Sequence, residues 1–126
     1  MDFAYKRKAT RDFTTTVEAV ERCIGAHGFA VARMHDMQSM VASKGFEIQP
    51  LKIYELVWAR YARGWRNAER DLVYVCRLHV YREGDAVFVS ALRPTALSHV
   101  MAGLDDDEYI SELERGVERL VDDAVG

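Results

Sequence analysis

The chain has 126 residues, of which 49% are hydrophobic and 29% charged, and a net charge of −3. Those values fit one globular domain, residues 1–126, with a core large enough to need no disulfide or metal staple. They exclude a disordered chain; no apolar run approaches the roughly 20 residues of a membrane helix, and the excess of acid speaks against a duplex-binding surface.

The charge is uneven. Leu104 to Gly126 holds nine acids against two bases, while the remainder is mildly basic, a distribution that reads as a solvated acidic helix face on a basic body. Met1 to Arg11 carries charge with no apolar stretch behind it. No secretory signal is read there, and a cytoplasmic, soluble protein is expected. Cys23 and Cys76 lie far apart in hydrophobic segments and read as reduced, buried thiols.

In chain order, Phe3 to Arg11 reads as a strand. Its Lys6, Arg7 and Lys8 suit a sheet edge, where charge discourages pairing with other chains. A helix follows, with Val17, Val20 and Ile24 at helical spacing. Thr14 or Thr15 is placed to cap it, Thr15 and Glu18 have capping-box spacing, and Gly28 stops it. Phe29 to Met34 is a second strand, followed by a short helix, Met37 to Ser43, that Gly45 ends. Leu51 to Trp58 is a third strand, with Leu51, Ile53, Glu55 and Val57 on one face and Lys52, Tyr54, Leu56 and Trp58 on the other.

Ala59 to Arg70 reads as a helix with Arg60, Arg63, Arg66 and Arg70 on one side. Leu72 to Arg82 and Ala86 to Leu92 form a hairpin around Glu83-Gly84-Asp85. Thr95 caps a short helix to Ala102. Asp105 to Asp107 open the last helix, where acids favour the positive end of the helix dipole, and Ile110, Leu113, Val117, Leu120 and Val121 make its core stripe. The expected class is α+β: a curved, largely antiparallel sheet with helices, chiefly the first and last, packed on one face.

Several blocks in this order resemble the domain-of-unknown-function 302 family over nearly the whole chain. They are Thr16-Val17-Glu18-Ala19-Val20, His35-Asp36, Lys44-Gly45-Phe46, Ile53-Tyr54-Glu55-Leu56 and Val75-Cys76-Arg77-Leu78-His79-Val80-Tyr81. The resemblance implies a β-α-β(4)-α arrangement similar to the TATA-box-binding-protein-like architecture, with extra short helices, and a homodimer. It implies no activity. Many members of the family have Cys-Asn where this chain has Val57-Trp58, and Cys76 matches their second cysteine, so a paired thiol or metal site in relatives would be half missing here.

Four residues stand out as candidates for chemistry. Glu55 is a carboxylate on an apolar strand face, where it must have a raised pKa or a partner; it is either an acid/base group or a salt bridge that fixes the fold. Arg77 and His79 face away from Cys76 and Leu78, on a mixed polar and apolar face that suits an anionic ligand or a dimer contact as well as plain solvation. Cys76 has no adjacent base on its own face and reads as a buried inert thiol. His27, His35, His79 and His99 show no metal-ligand spacing, so no metal or cofactor is expected. His35-Asp36 could orient a ligand or cap the short helix that follows.

No Gly-x-Gly-x-x-Gly, Walker or Gly-x-Ser-x-Gly pattern is present. The expected function is therefore a small-ligand or protein-binding homodimer with no assignable reaction. The alternative is an enzyme using Glu55 with Cys76, Arg77 or His79. Arginines 60, 63 and 66 with Tyr61 and Trp65 offer a third reading, single-strand nucleic-acid binding. Glu69 and Asp71 dilute that row, and neither nucleic acid nor membrane is expected as a partner.

Overall fold

The strand alternation closes into a single sheet in the computed structural model of the chain, which describes residues 2–58, 75–96 and 108–126. The elements are β1 (Ala4–Lys8), α1 (Phe13–Ala26), β2 (Phe29–Asp36), α2 (Met37–Ala42), β3 (Leu51–Trp58), β4 (Val75–Glu83), β5 (Ala86–Leu92) and α3 (Glu108–Val125). The sheet has five strands in the order β1-β5-β4-β3-β2, and every pairing is antiparallel. This is the β-α-β(4)-α order with α2 inserted between β2 and β3. The helix expected over 59–70, the end of the one expected to reach Ala102 and the acidic opening at 105–107 lie outside the described residues.

Register decides what the core contains. Leu56 of β3 faces Cys76 of β4, and Tyr54 faces Leu78. Leu78 in turn faces Ala91, and Val80 faces Val89. All of these side chains are buried, on one side of the sheet. Against them α1 lays Val17, Val20 and Ile24, and α3 lays Ile110, Leu113, Val117, Leu120 and Val121. Each large side chain so buried contributes about 1.5–3 kcal/mol of transfer free energy, so the helical stripes read from the sequence are the main reason the sheet has a covered face.

The start of α1 differs from expectation. Its cap is Asp12, not Thr14 or Thr15: the Asp12 carboxylate accepts the backbone N–H of Thr15 at 2.8 Å. A carboxylate at the positive end of a helix gains from the dipole as well as the hydrogen bond, and the hydrogen bond to Thr15 holds its pKa below the usual carboxylate range. The far end behaves as the glycine predicts, with Gly28 at φ +81°. In the β4–β5 turn Gly84 takes φ +63°, and among the described residues no non-glycine has a positive φ. That combination of signs fits a type II′ turn, whose twist matches the strands it joins.

The edge strand β1 ends at Lys8, short of the expected Arg11, because Thr10 and Arg11 serve α3 instead. The Thr10 N–H and hydroxyl both donate to the Val125 carbonyl, at 3.2 Å each, and Arg11 donates to the Ala124 carbonyl. These are carbonyls that the last helical turn leaves without intrahelical donors. Four acids of α3 are likewise engaged rather than simply solvated. Asp122 accepts from the Tyr5 hydroxyl at 2.7 Å and from Arg7 at 2.8 Å, Asp123 pairs with His27 at 2.6 Å, and Glu114 and Glu118 flank Arg93 at 3.6 Å. The half-exposed Arg7–Asp122 pair contributes little stability, whereas Arg93 and Glu114 are mostly buried; together these contacts hold the acidic helix against the sheet and the end of α1.

One position in α3 had no signal in the sequence. Gly116 sits mid-helix, and a Cβ placed there would meet the Trp58 ring at 3.4 Å and the Phe29 ring at 3.7 Å. Trp58 and Phe29 are paired across β2 and β3 and stacked, 5.6 Å between centroids and 11° between planes. The glycine gives up helix propensity and lets the helix close on that stack.

Candidate functional site: the sheet face turned away from the helices

The same alternation that buries Leu78 turns its neighbours to the other face. On β4 these are Arg77, His79 and Tyr81; on β3, Leu51, Ile53, Glu55 and Val57; on β5, Phe88, Ser90 and Leu92. Most are half-buried, on the face away from α1 and α3. Two hollows open there. One, of about 460 Å³, is walled by Ile48, Pro50, Leu51 and Tyr81, with Gln49, Arg82 and Glu83 also in its lining. The other, of about 310 Å³, is formed by Ala4, Arg77, His79, Ser90 and Leu92. His79 belongs to both, so the hollows adjoin along β4.

Glu55 finds the partner its position demands. His35, brought opposite Ile53 by the β2–β3 register, donates from Nε2 to Glu55 Oε2 at 3.0 Å. Arg77 faces Glu55 across β3 and β4, with Nη2 4.0 Å from Oε1. The hydrogen bond from His35, then the charges of Arg77 and Arg33, hold the Glu55 carboxyl below its ordinary pKa. Glu55 is thus ionised at neutral pH, the wrong state for a general acid. His79 behaves in the opposite sense: burial first, and Arg77 beside it second, lower its pKa below the usual imidazole value. It is neutral at pH 7, with one N–H to donate and one nitrogen to accept.

Cys76 lies on the other side of the sheet. It is 3% exposed, opposite Leu56, and burial pushes its thiol up to about 12. Cys23 is also buried, and both are free thiols. The sheet therefore separates Cys76 from Glu55, Arg77 and His79. It also bears on the family's other cysteine position: Val57 faces Val75 and projects to the helix-free side, whereas Cys76 projects to the core. Side chains at 57 and 76 of this backbone do not meet. Trp58, in the place of the family asparagine, is used for packing on Phe29.

The remaining sequence candidates divide in the same way. Asp36 caps α2, accepting the Ser39 N–H at 3.1 Å, while His35 turns to Glu55. His27 pairs with Asp123 on α3. The arginine row 60, 63, 66 and 70, with Tyr61 and Trp65, and His99 lie outside the described residues. Among the described residues no group of three or more His, Cys, Asp or Glu stands close enough to hold a metal ion, and no helix is long and apolar enough to cross a membrane. Sequence reading missed Arg33 and Ser90, which reach the face only through pairing with Glu55 and His79. Without the strand order neither had a signal.

A five-stranded antiparallel sheet with helices on one face and polar groups gathered on the other defines an α+β fold of one particular class. A crystal structure of an uncharacterized conserved DUF302 protein from Bacillus stearothermophilus has this fold. It matches with a TM-score of 0.78 at 21% identity, over 99% of this chain and 97% of that one. Residues 5–124 match the family described as domain of unknown function DUF302, and the chain belongs to that family. No curated protein matches it. The family carries no assigned reaction, and nothing in these likenesses favours an enzyme.

Proposed function

We propose that this chain is a binding domain that receives a small ligand on the face of its sheet turned away from α1 and α3, and works as a homodimer. The observation that carries the reading is the pair of adjoining hollows on that face, with Arg77, His79 and Ser90 set among apolar walls. Concave apolar sites with a few fixed polar groups are the usual form of a small-molecule site. A reaction is not part of the proposal: Glu55 is held ionised by His35, and the Cys76 thiol is protonated and on the other face. Thermal-shift screening against a panel of acidic, neutral and basic metabolites tests it, since a ligand of the folded state raises the melting temperature. A panel without a single hit at millimolar concentration would remove the ligand.

The dimer has its own support. α2 buries none of its residues; its Met40 is 42% exposed, and beside it Phe46 and Ile48 are 66% and 40% exposed. Large apolar side chains grouped in this way mark a contact surface, and a second copy meeting it about a two-fold axis is the commonest arrangement. Size-exclusion chromatography with light scattering is expected to give twice the chain mass at micromolar concentration, and Phe46→Glu to return a monomer. A monomeric wild type would end this part of the proposal. We place the protein in the cytoplasm, where two free thiols remain reduced; recovery in a membrane or extracellular fraction would contradict that.

A further inference from the structure

The two hollows differ in chemistry, and the difference names a ligand. The smaller one has Arg77 at its edge. Its side chain is 55% exposed, and its 4.0 Å contact with Glu55 is too long for a hydrogen bond. Its planar donors are therefore available to an incoming oxygen anion. Ser90 stands directly opposite His79 on β5, so a hydroxyl and a neutral imidazole lie beside that cation. Lys6 is paired with Ser90 from the other side, its ammonium 4.3 Å from the Phe88 ring centroid. Three cations, Lys6, Arg33 and Arg77, stand here against two carboxylates, Glu55 and Glu83, with Lys6 4.0 Å from Glu83, in a chain whose net charge is −3. The larger hollow exposes mainly apolar surface, from Ile48, Pro50, Leu51 and Tyr81, with Gln49, Arg82 and Glu83 also in its lining.

Resting on the reading of this face as a ligand site, we infer that it binds a monocarboxylic acid with an apolar tail. The carboxylate lies on Arg77 and Ser90, and the tail passes His79 to lie over Leu51 and Tyr81. A single charge fits better than two. With ionised Glu55 close behind the one guanidinium, a dianionic phosphate would meet more repulsion than a single carboxylate does. Length is set by the strand. Arg77 to Tyr81 is four residues, or roughly 13 Å at about 3.3 Å per residue, enough for a medium-chain acid and too long for a two- to four-carbon one to use both hollows.

The test is isothermal titration calorimetry of the full chain with butyrate, octanoate and octanamide, repeated with Arg77→Gln and Tyr81→Ala, circular dichroism reporting folding. Octanoate should bind at least tenfold more tightly than butyrate, each buried methylene adding up to roughly fourfold, and tenfold more tightly than octanamide. Arg77→Gln should remove the preference for acid over amide and leave the affinity for octanamide unchanged. Tyr81→Ala should weaken octanoate and barely alter butyrate. Octanamide binding as tightly as octanoate, with Tyr81→Ala weakening both, would overturn the acid and leave a ligand site on this face. Equal weak binding of butyrate and octanoate would overturn the tail. No binding of either acid at millimolar concentration would overturn the inference whole, and hits from the neutral and basic arms of the thermal-shift panel would then show whether the face binds something else.

Discussion

On β4, Cys76, Leu78 and Val80 are buried against α1 and α3, while Arg77, His79 and Tyr81, each one residue away, line hollows on the opposite face. The backbone and its hydrogen bonds are common to both sets. What separates them is whether a helix stripe was available to cover them: the described sequence supplies two long stripes, and both go to one side. Among the described residues the sheet is covered by long helices on one side, which leaves its second face for something other than folding. The polar groups follow the same division. Those facing the helices are tied to them, as Tyr54 is to Glu21 and Arg7 to Asp122, whereas in the outward group His35 and Arg77 pair with Glu55 inside the sheet.

The sharpest way to break that contrast is to shorten one side chain on each face. Leu78→Ala should cost about 2–5 kcal/mol, as for other fully buried leucines, and Tyr81→Ala about 1 kcal/mol or less, since its ring is only half-buried. Urea denaturation measures both; comparable losses would mean that the outward face is part of the core. A smaller effect probes the covered side alone. Gly116→Leu drives a side chain into the Trp58–Phe29 stack and should cost roughly 1–3 kcal/mol, the usual range for overpacking. A blue or red shift of the tryptophan emission should accompany it, and an unchanged spectrum with unchanged stability would show that the helix does not press on that stack.

The smallest effect lies in the pH dependence of the outward face. The folded protein holds His79 below its ordinary pKa, while the unfolded chain returns it to about 6.5. Below that value the unfolded chain binds a proton that the folded one resists. Stability should therefore be full above about pH 6.5 and fall as the pH drops toward 5. Glu55 acts in the same direction at lower pH: its lowered pKa gives a contribution present above about pH 4.3 and lost on further acidification. His79→Gln should flatten the first part of the profile and leave the second. A profile equally steep in the variant would assign the fall to other groups.

Much of the fold was legible because it rests on local pattern. The stripe from Ile110 to Val121, the strand from Leu51 to Trp58, the helix stop at Gly28 and the turn at Gly84 each follow from spacing or from a glycine's freedom of φ. The α1 cap was misplaced because three threonines and Asp12 compete over four positions, and only the structure shows which oxygen reaches an N–H. The face of Glu55, Arg77 and His79 was legible from alternation alone. Its depth was not. His35 reaches Glu55 through the register of β2 on β3, Ser90 meets His79 through β5, and Gly116 meets Trp58 through a helix that returns from the far end of the chain. These are contacts between residues distant in sequence, and no local period encodes them.

The central claim is that the outward face binds and the covered face folds. It is tested most directly by following the backbone amides of the folded protein by NMR as octanoate is added. Shifts confined to Arg77, His79, Tyr81, Ser90 and Leu51, with α1 and α3 unmoved, are the predicted result. Shifts centred on the two helices, or none anywhere on the sheet, would contradict it.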